Sequence, residues 1–121
     1  MDEDLYFLIE DILEQMAVEG RSHFAPHYVC ARLGVTDLKS VTEYMLDLVG
    51  KKLTVYYEVE CPNGDSDYDV DSLSEITEEI RTCSICDIKY IPSLDKVWIV
   101  FNFLPGYLKH VKKKKSVQLI M

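Results

Sequence analysis

Apolar positions along the first fifty residues recur with helical spacing. Leu5, Leu8, Ile9, Ile12, Leu13 and Met16 share one stripe, which predicts a helix over residues 2–19. Asp2, Glu3 and Asp4 lie at its start, where carboxylates favour a helix N-terminus, and Gly20 supplies a stop. A shorter helix is expected over 22–34, with Pro26 in its first turn, Tyr28, Val29 and Leu33 inward, and Gly34 at its end. Thr36 or Asp37 can cap a third helix that reaches Val49. Its buried face would hold Leu38, Val41, Met45, Leu48 and Val49, and Gly50 closes it.

The period changes at Leu53. Residues 53–60 alternate and are rich in β-formers, so they predict a strand. Residues 63–72 hold glycine, asparagine, serine and four aspartates and are expected to be loop. Residues 73–81 are expected to form a short helix or an irregular segment with Ile76 and Ile80 inward. Residues 88–91 and 96–103 predict two more strands, joined by Pro92-Ser93-Leu94-Asp95. Trp98 is expected to pack inward; an outward Trp98 would be a binding hot spot instead. Pro105-Gly106 breaks the last strand, 107–115 form a short basic helix, and 116–121 form an apolar tail. The fold class is therefore α+β. A three-helix unit (1–60) precedes a small antiparallel β module (61–106) and a basic, apolar C-terminal tail (107–121).

Charge sharpens this picture. The chain has 121 residues, 48% of them apolar, and a formal net charge of −8. All the acidic residues precede the final thirteen, which carry Lys109, Lys112, Lys113, Lys114 and Lys115. An acidic body repels nucleic acid unless its cations gather on one face. No apolar run approaches a membrane span, and the acidic start opposes a secretory signal. The expected compartment is the cytoplasm, where thiols stay reduced. Four cysteines there are metal ligands or core residues rather than two disulfides.

Cys83-Ser84-Ile85-Cys86, with Cys61-Pro62 upstream, carries the candidate chemistry. Residues 61–103 resemble a zinc ribbon with one damaged knuckle, because Gly64 stands where the fourth thiolate of a C-P-x-C turn belongs. Zn2+ would be held by Cys61, Cys83 and Cys86, with Asp65, Asp67 or Cys30 as the fourth ligand. Alternatively the ribbon persists without metal and the cysteines serve as small buried apolar residues. His23, His27 and His110 lie outside the ribbon segment. No His near the thiolates in sequence offers the base of a catalytic zinc site. A C-x-x-C redox pair would need a strand-to-helix context that is missing. The acidic stretch Asp65, Asp67, Asp69, Asp71 lacks the later glutamate of a calcium loop and is expected to be solvated.

Phe24 to Val35, with its leucine-glycine-valine turn, resembles the first half of a winged helix-turn-helix. Thr36 to Val41 resembles the start of its second helix, and 53–60 would be the wing. A winged helix followed by a zinc ribbon is similar to archaeal-type transcription factor E and to several small prokaryotic regulators and adaptors. The resemblance implies DNA or protein binding. The outward positions of the third helix would be Asp37, Lys39, Ser40, Thr42, Glu43 and Asp47, of which one is basic and three are acidic. Phosphate contacts would fall to Lys39, Lys51, Lys52 and Lys112 to Lys115.

No nucleophile–base pair and no glycine-rich phosphate loop stands out, so the chain is read as not an enzyme. The expected function is a protein–protein interaction adaptor or regulatory subunit of a larger cytosolic assembly, such as a defence or transcription complex. The alternatives are a winged-helix transcriptional regulator that binds DNA and an acidic inhibitor that imitates DNA.

Overall fold

The structure is a computed structural model that describes residues 3–120, with side chains as far as Lys114. It is an α+β fold in which N-terminal helices precede a small β unit. Helices α1 (Glu3–Glu19), α2 (Pro26–Leu33) and α3 (Leu38–Asp47) lead into strands β1 (Leu53–Glu60) and β2 (Ser66–Val70). Short strands β3 (Arg81–Thr82) and β4 (Lys89–Tyr90) follow, then β5 (Val97–Phe103) and helix α4 (Pro105–Ile120). The chain forms two compact units. Met1–Thr54 and Phe101–Met121 make the first, and Val55–Val100, inserted between them, makes the second.

The helical unit follows its apolar pattern. Ile9, Leu13 and Met16 of α1, Val29 of α2, and Val41 and Met45 of α3 are fully buried. Asp37, not Thr36, caps α3: its carboxylate accepts the Ser40 N–H at 3.1 Å. Gly34 ends α2 at φ +70°, a left-handed position that glycine occupies without a Cβ clash. The α1 stripe is narrower than expected, and Leu8 is half exposed. The N–H and C=O of Phe24 pair antiparallel with Phe101 at 2.9 and 2.8 Å, which ties the α1–α2 connection to the end of β5.

Several sequence expectations are corrected. Residues 66–70 are a strand, not loop. β2 pairs antiparallel with β1 in a sheet of order β2-β1-β5. The backbone of β1 needs ladder partners on its free side, and this requirement outweighs the low strand propensity of aspartate. Charged residues on such an edge also discourage pairing with other chains. Residues 73–75 form one 3-10 turn, and Ile80 is 70% exposed rather than inward. Trp98 also faces outward at 43% exposure, with its indole N–H donating to Glu60 at 2.6 Å. Helix α4 starts at Pro105 and runs to Ile120, so the expected apolar tail continues the basic helix. Proline breaks a strand but suits a helix's first turn, where N–H groups have no internal partner. The side chains of residues 115–121 lie outside the described residues.

Candidate metal centre

Two turns bring the donors together within the second unit. In the first, Cys61 to Asp65 connect β1 to β2. The Gly64 N–H donates to the Cys61 carbonyl and the Cys61 N–H donates to the Asp65 carbonyl, both at 2.9 Å. Gly64 sits at φ +87°, where a Cβ would be strained. The residue in the fourth-thiolate position is therefore a backbone pivot, and the next residue, Asp65, supplies the side chain. In the second turn, which joins β3 to β4, the Cys83 N–H donates to the Ile88 carbonyl at 2.8 Å. The Asp87 N–H donates back to the Cys83 carbonyl at 3.1 Å. Asp87 takes φ +63°, which aspartate tolerates better than most residues.

The ligand atoms of Cys61, Asp65, Cys83 and Cys86 all lie within 4.8 Å of one another. Cys61 Sγ and Cys86 Sγ are 3.6 Å apart and not bonded as a disulfide. Zinc–sulfur bonds of about 2.3 Å at tetrahedral angles place two sulfurs about 3.8 Å apart, so this spacing suits one ion. Cys61 Sγ lies 4.0 Å from Asp65 Oδ2. Asn63 Nδ2 donates to Cys86 Sγ at 3.6 Å and the Ile85 N–H to Cys83 Sγ at 3.4 Å. N–H donors of this kind suit metal-bound thiolates, whose sulfurs keep negative charge. Cys61, Cys83 and Tyr90 form a small buried cluster with Ile88 packed against it. Three thiolates and one carboxylate therefore form a set compatible with zinc.

No protein-family model, curated protein or solved structure matches this chain.

Asp67 plays a different part from Asp65. The register steps from Val59↔Tyr68 to Glu60↔Ser66, so Asp67 is the extra residue of a bulge. The bulge accompanies full burial of its side chain. There the carboxylate accepts Arg81 Nε at 2.7 Å, the Ser84 N–H at 2.8 Å and the Tyr90 hydroxyl. The Ser84 hydroxyl donates to the Asp67 carbonyl at 2.8 Å. Burial alone would raise this carboxyl's pKa. The bonds from Arg81, Tyr90 and Ser84 outweigh it and hold the group well below the usual carboxylate range. Burial and the adjacent carboxylate push the Tyr90 phenol up, so it remains a donor. Arg81 also lies 3.8 Å over the Tyr68 ring. Ser84 lies between Cys83 and Cys86, so Asp67 fixes the second turn from the first hairpin.

Replacing Asp67 by Ala leaves Tyr90 and the Ser84 N–H without their acceptor. The expected cost is about 2–4 kcal/mol, with the Arg81 share discounted because that side chain is 37% exposed. Thermal melts followed through Trp98 fluorescence check it: a lowered midpoint is expected, and an unchanged one contradicts the buttress.

Of the candidate fourth ligands, the structure brings in Asp65. Cys30 sits buried on α2 in the helical unit, where burial and then Asp37 push its thiol pKa up. Such a thiol is a core residue of low reactivity. The bulge at β2 and the role of Asp67 were missed from sequence. The alternation of Tyr68 and Val70 with aspartates was the available signal.

Of the seven candidate lysines, the six with described side chains lie in different settings. Lys39 on α3 and Lys51 after it are exposed. Lys52 is ion-paired with Glu10 and lies 5.6 Å from the Tyr107 ring centre, and its bond holds Glu10 below the usual carboxylate range. Lys112 and Lys113 are exposed on α4, and Lys114 pairs with Glu14 at 3.2 Å. The side chain of Lys115 lies outside the described residues. On α3, Glu43 and Asp47 line a shallow pocket with Ser40, Tyr6 and Tyr44. Among the described residues, no helix is long and apolar enough to cross a membrane.

Proposed function

We propose that the chain is a non-enzymatic protein-interaction adaptor in which Cys61, Asp65, Cys83 and Cys86 hold one structural Zn2+. The helical unit is a winged-helix-like body, a reading supported by its three N-terminal helices, the Gly34 turn and the Phe24–Phe101 pairing. The second unit is a ribbon-like insert stapled by the ion. The observation that carries the adaptor reading is the surface of that insert. Leu73, Ile80, Ile85, Ile91 and Leu94 are each 45–70% exposed on a unit of under fifty residues. Leu73, Ile91 and Leu94 line one open groove, and contiguous exposed apolar side chains of this kind mark interaction surfaces. Acidic Glu43 and Asp47 on the third helix support a protein partner over DNA.

The experiment is affinity capture from the native cell, comparing the wild-type chain with Cys83→Ser. A defined partner that wild type retains and Cys83→Ser loses is expected. The absence of any partner, or equal capture by both, contradicts the proposal. DNA fragments from the protein's own locus at low salt give a flat anisotropy titration on this account; saturable binding would favour a transcriptional regulator.

A further inference from the structure

The net charge of −8 is not shared between the two units. Residues 55–100 contain eleven acidic and three basic residues, which already amount to −8, so the helical unit is formally neutral. The three cations are occupied or distant in role: Arg81 is bound to Asp67 and Lys96 lies 3.8 Å from Glu60, which leaves Lys89. A partner of this unit therefore meets a strongly negative surface.

Within the same unit, the segment after β2 and the β4–β5 connection enclose an open groove of about 610 Å³. Leu73, Ile76, Ile91 and Leu94 give it apolar walls, and Glu78 and Asp95 stand in its lining. Leu73, Ile91 and Leu94 are 45, 54 and 68% exposed, so the walls are not covered by the unit itself. Neither Glu78 nor Asp95 forms an ion pair among the described residues. The size falls within the range of small ligand sites. An uncharged drug-like molecule would leave both carboxylates unanswered, and an acidic partner would be repelled. A peptide that lays aliphatic side chains on the walls and sets lysine or arginine against the carboxylates satisfies both features.

We infer that this groove binds a partner's peptide segment carrying aliphatic anchors flanked by lysine or arginine. The inference rests on the adaptor reading and specifies the chemistry of its partner. Aliphatic anchors supply the affinity by burying Leu73, Ile91 and Leu94. The basic flanks select against neutral and acidic segments and make binding weaken with salt. Because the groove walls are loop and 3-10 segments of a unit held by the Cys61–Cys86 cluster, an ordered metal centre keeps the groove in shape.

The test is selection from a phage-displayed library of random twelve-residue peptides on the full-length zinc-loaded protein. The best-enriched peptide is then synthesised, labelled with fluorescein and titrated by anisotropy. Enrichment of aliphatic residues beside lysine or arginine is expected. The double variant Ile91→Ser/Leu94→Ser should weaken the peptide by about tenfold or more, as loss of two apolar anchors does. Glu78→Lys/Asp95→Lys should weaken it by about tenfold as well and reduce its salt dependence. All four side chains are exposed, and retained zinc shows that each variant is folded. No enrichment, enrichment of acidic or neutral sequences, or affinity unchanged in both variants overturns the inference. A native partner still captured by Ile91→Ser/Leu94→Ser also overturns it, while leaving the adaptor reading in place.

Discussion

Stripping the metal will unfold the inserted unit and leave the helical unit folded. Val55–Val100 is too small to rely on its core. Domains of this size draw only about 3–5 kcal/mol from apolar burial and need a staple. A structural Zn2+ supplies about 10–16 kcal/mol of apparent binding free energy, which becomes folding free energy when the apo site does not persist. The described donors fit that role, since Cys61 and Cys83 are themselves part of the unit's small core. Loss of the ion would therefore remove one of two links between the turns and leave only the Asp67 bonds to Arg81, Ser84 and Tyr90. The lone tryptophan, Trp98, lies in this unit, whereas α1 to α4 lie in the other. Chelation, or Cys83→Ser, should shift Trp98 emission toward that of the unfolded chain and flatten its thermal transition. The helical circular-dichroism signal should persist. An unchanged Trp98 signal after complete chelation would contradict the staple.

Phe101→Ala should cost the helical unit about 3–5 kcal/mol, a large part of an ordinary domain's stability. Phe101 is fully buried, and deleting its ring leaves a cavity that nearby side chains refill only in part. Its backbone also closes the paired bridge to Phe24. The rings of Phe24 and Phe103 lie 5.0 Å apart, and those of Phe103 and Tyr107 lie 5.7 Å apart. These contacts connect the α1–α2 link through β5 to α4, so a cavity at Phe101 loosens elements distant in sequence. Urea denaturation followed at helical wavelengths measures the effect. A sharply lowered midpoint is expected, and a shift worth less than about 1 kcal/mol would show that Phe101 is dispensable.

The helices were legible because their signals are local. A three-and-four apolar period, a capping Asp37 and a terminal Gly34 specify α1 to α3 without reference to the rest of the chain. β1 was equally plain from its alternation. β2 was not, because its aspartates belong to an edge strand whose existence depends on β1 needing a partner. The roles of Asp65 and Asp67 were hidden for a similar reason. Both sit in one acidic run, and a bulge read only from cross-strand register sends Asp67 to Arg81, Tyr90 and Ser84. Asp65 is left beside the thiolates. The cysteine triad was visible as a motif. Gly64, which looked like a missing ligand, is explained by its positive φ. Trp98 and Ile80 are exposed although apolar, and sequence pattern alone assigns such residues to a core. The same tendency concealed the groove walls.

Zinc content by elemental mass spectrometry on purified, tag-free protein tests the central claim most directly. One Zn2+ per chain is expected. It should be lost with Cys61→Ser, Cys83→Ser or Cys86→Ser, held about tenfold or more weakly by Asp65→Ala, and unaffected by Cys30→Ser. Wild-type protein that folds without zinc and gains none from a zinc-containing buffer would contradict the account.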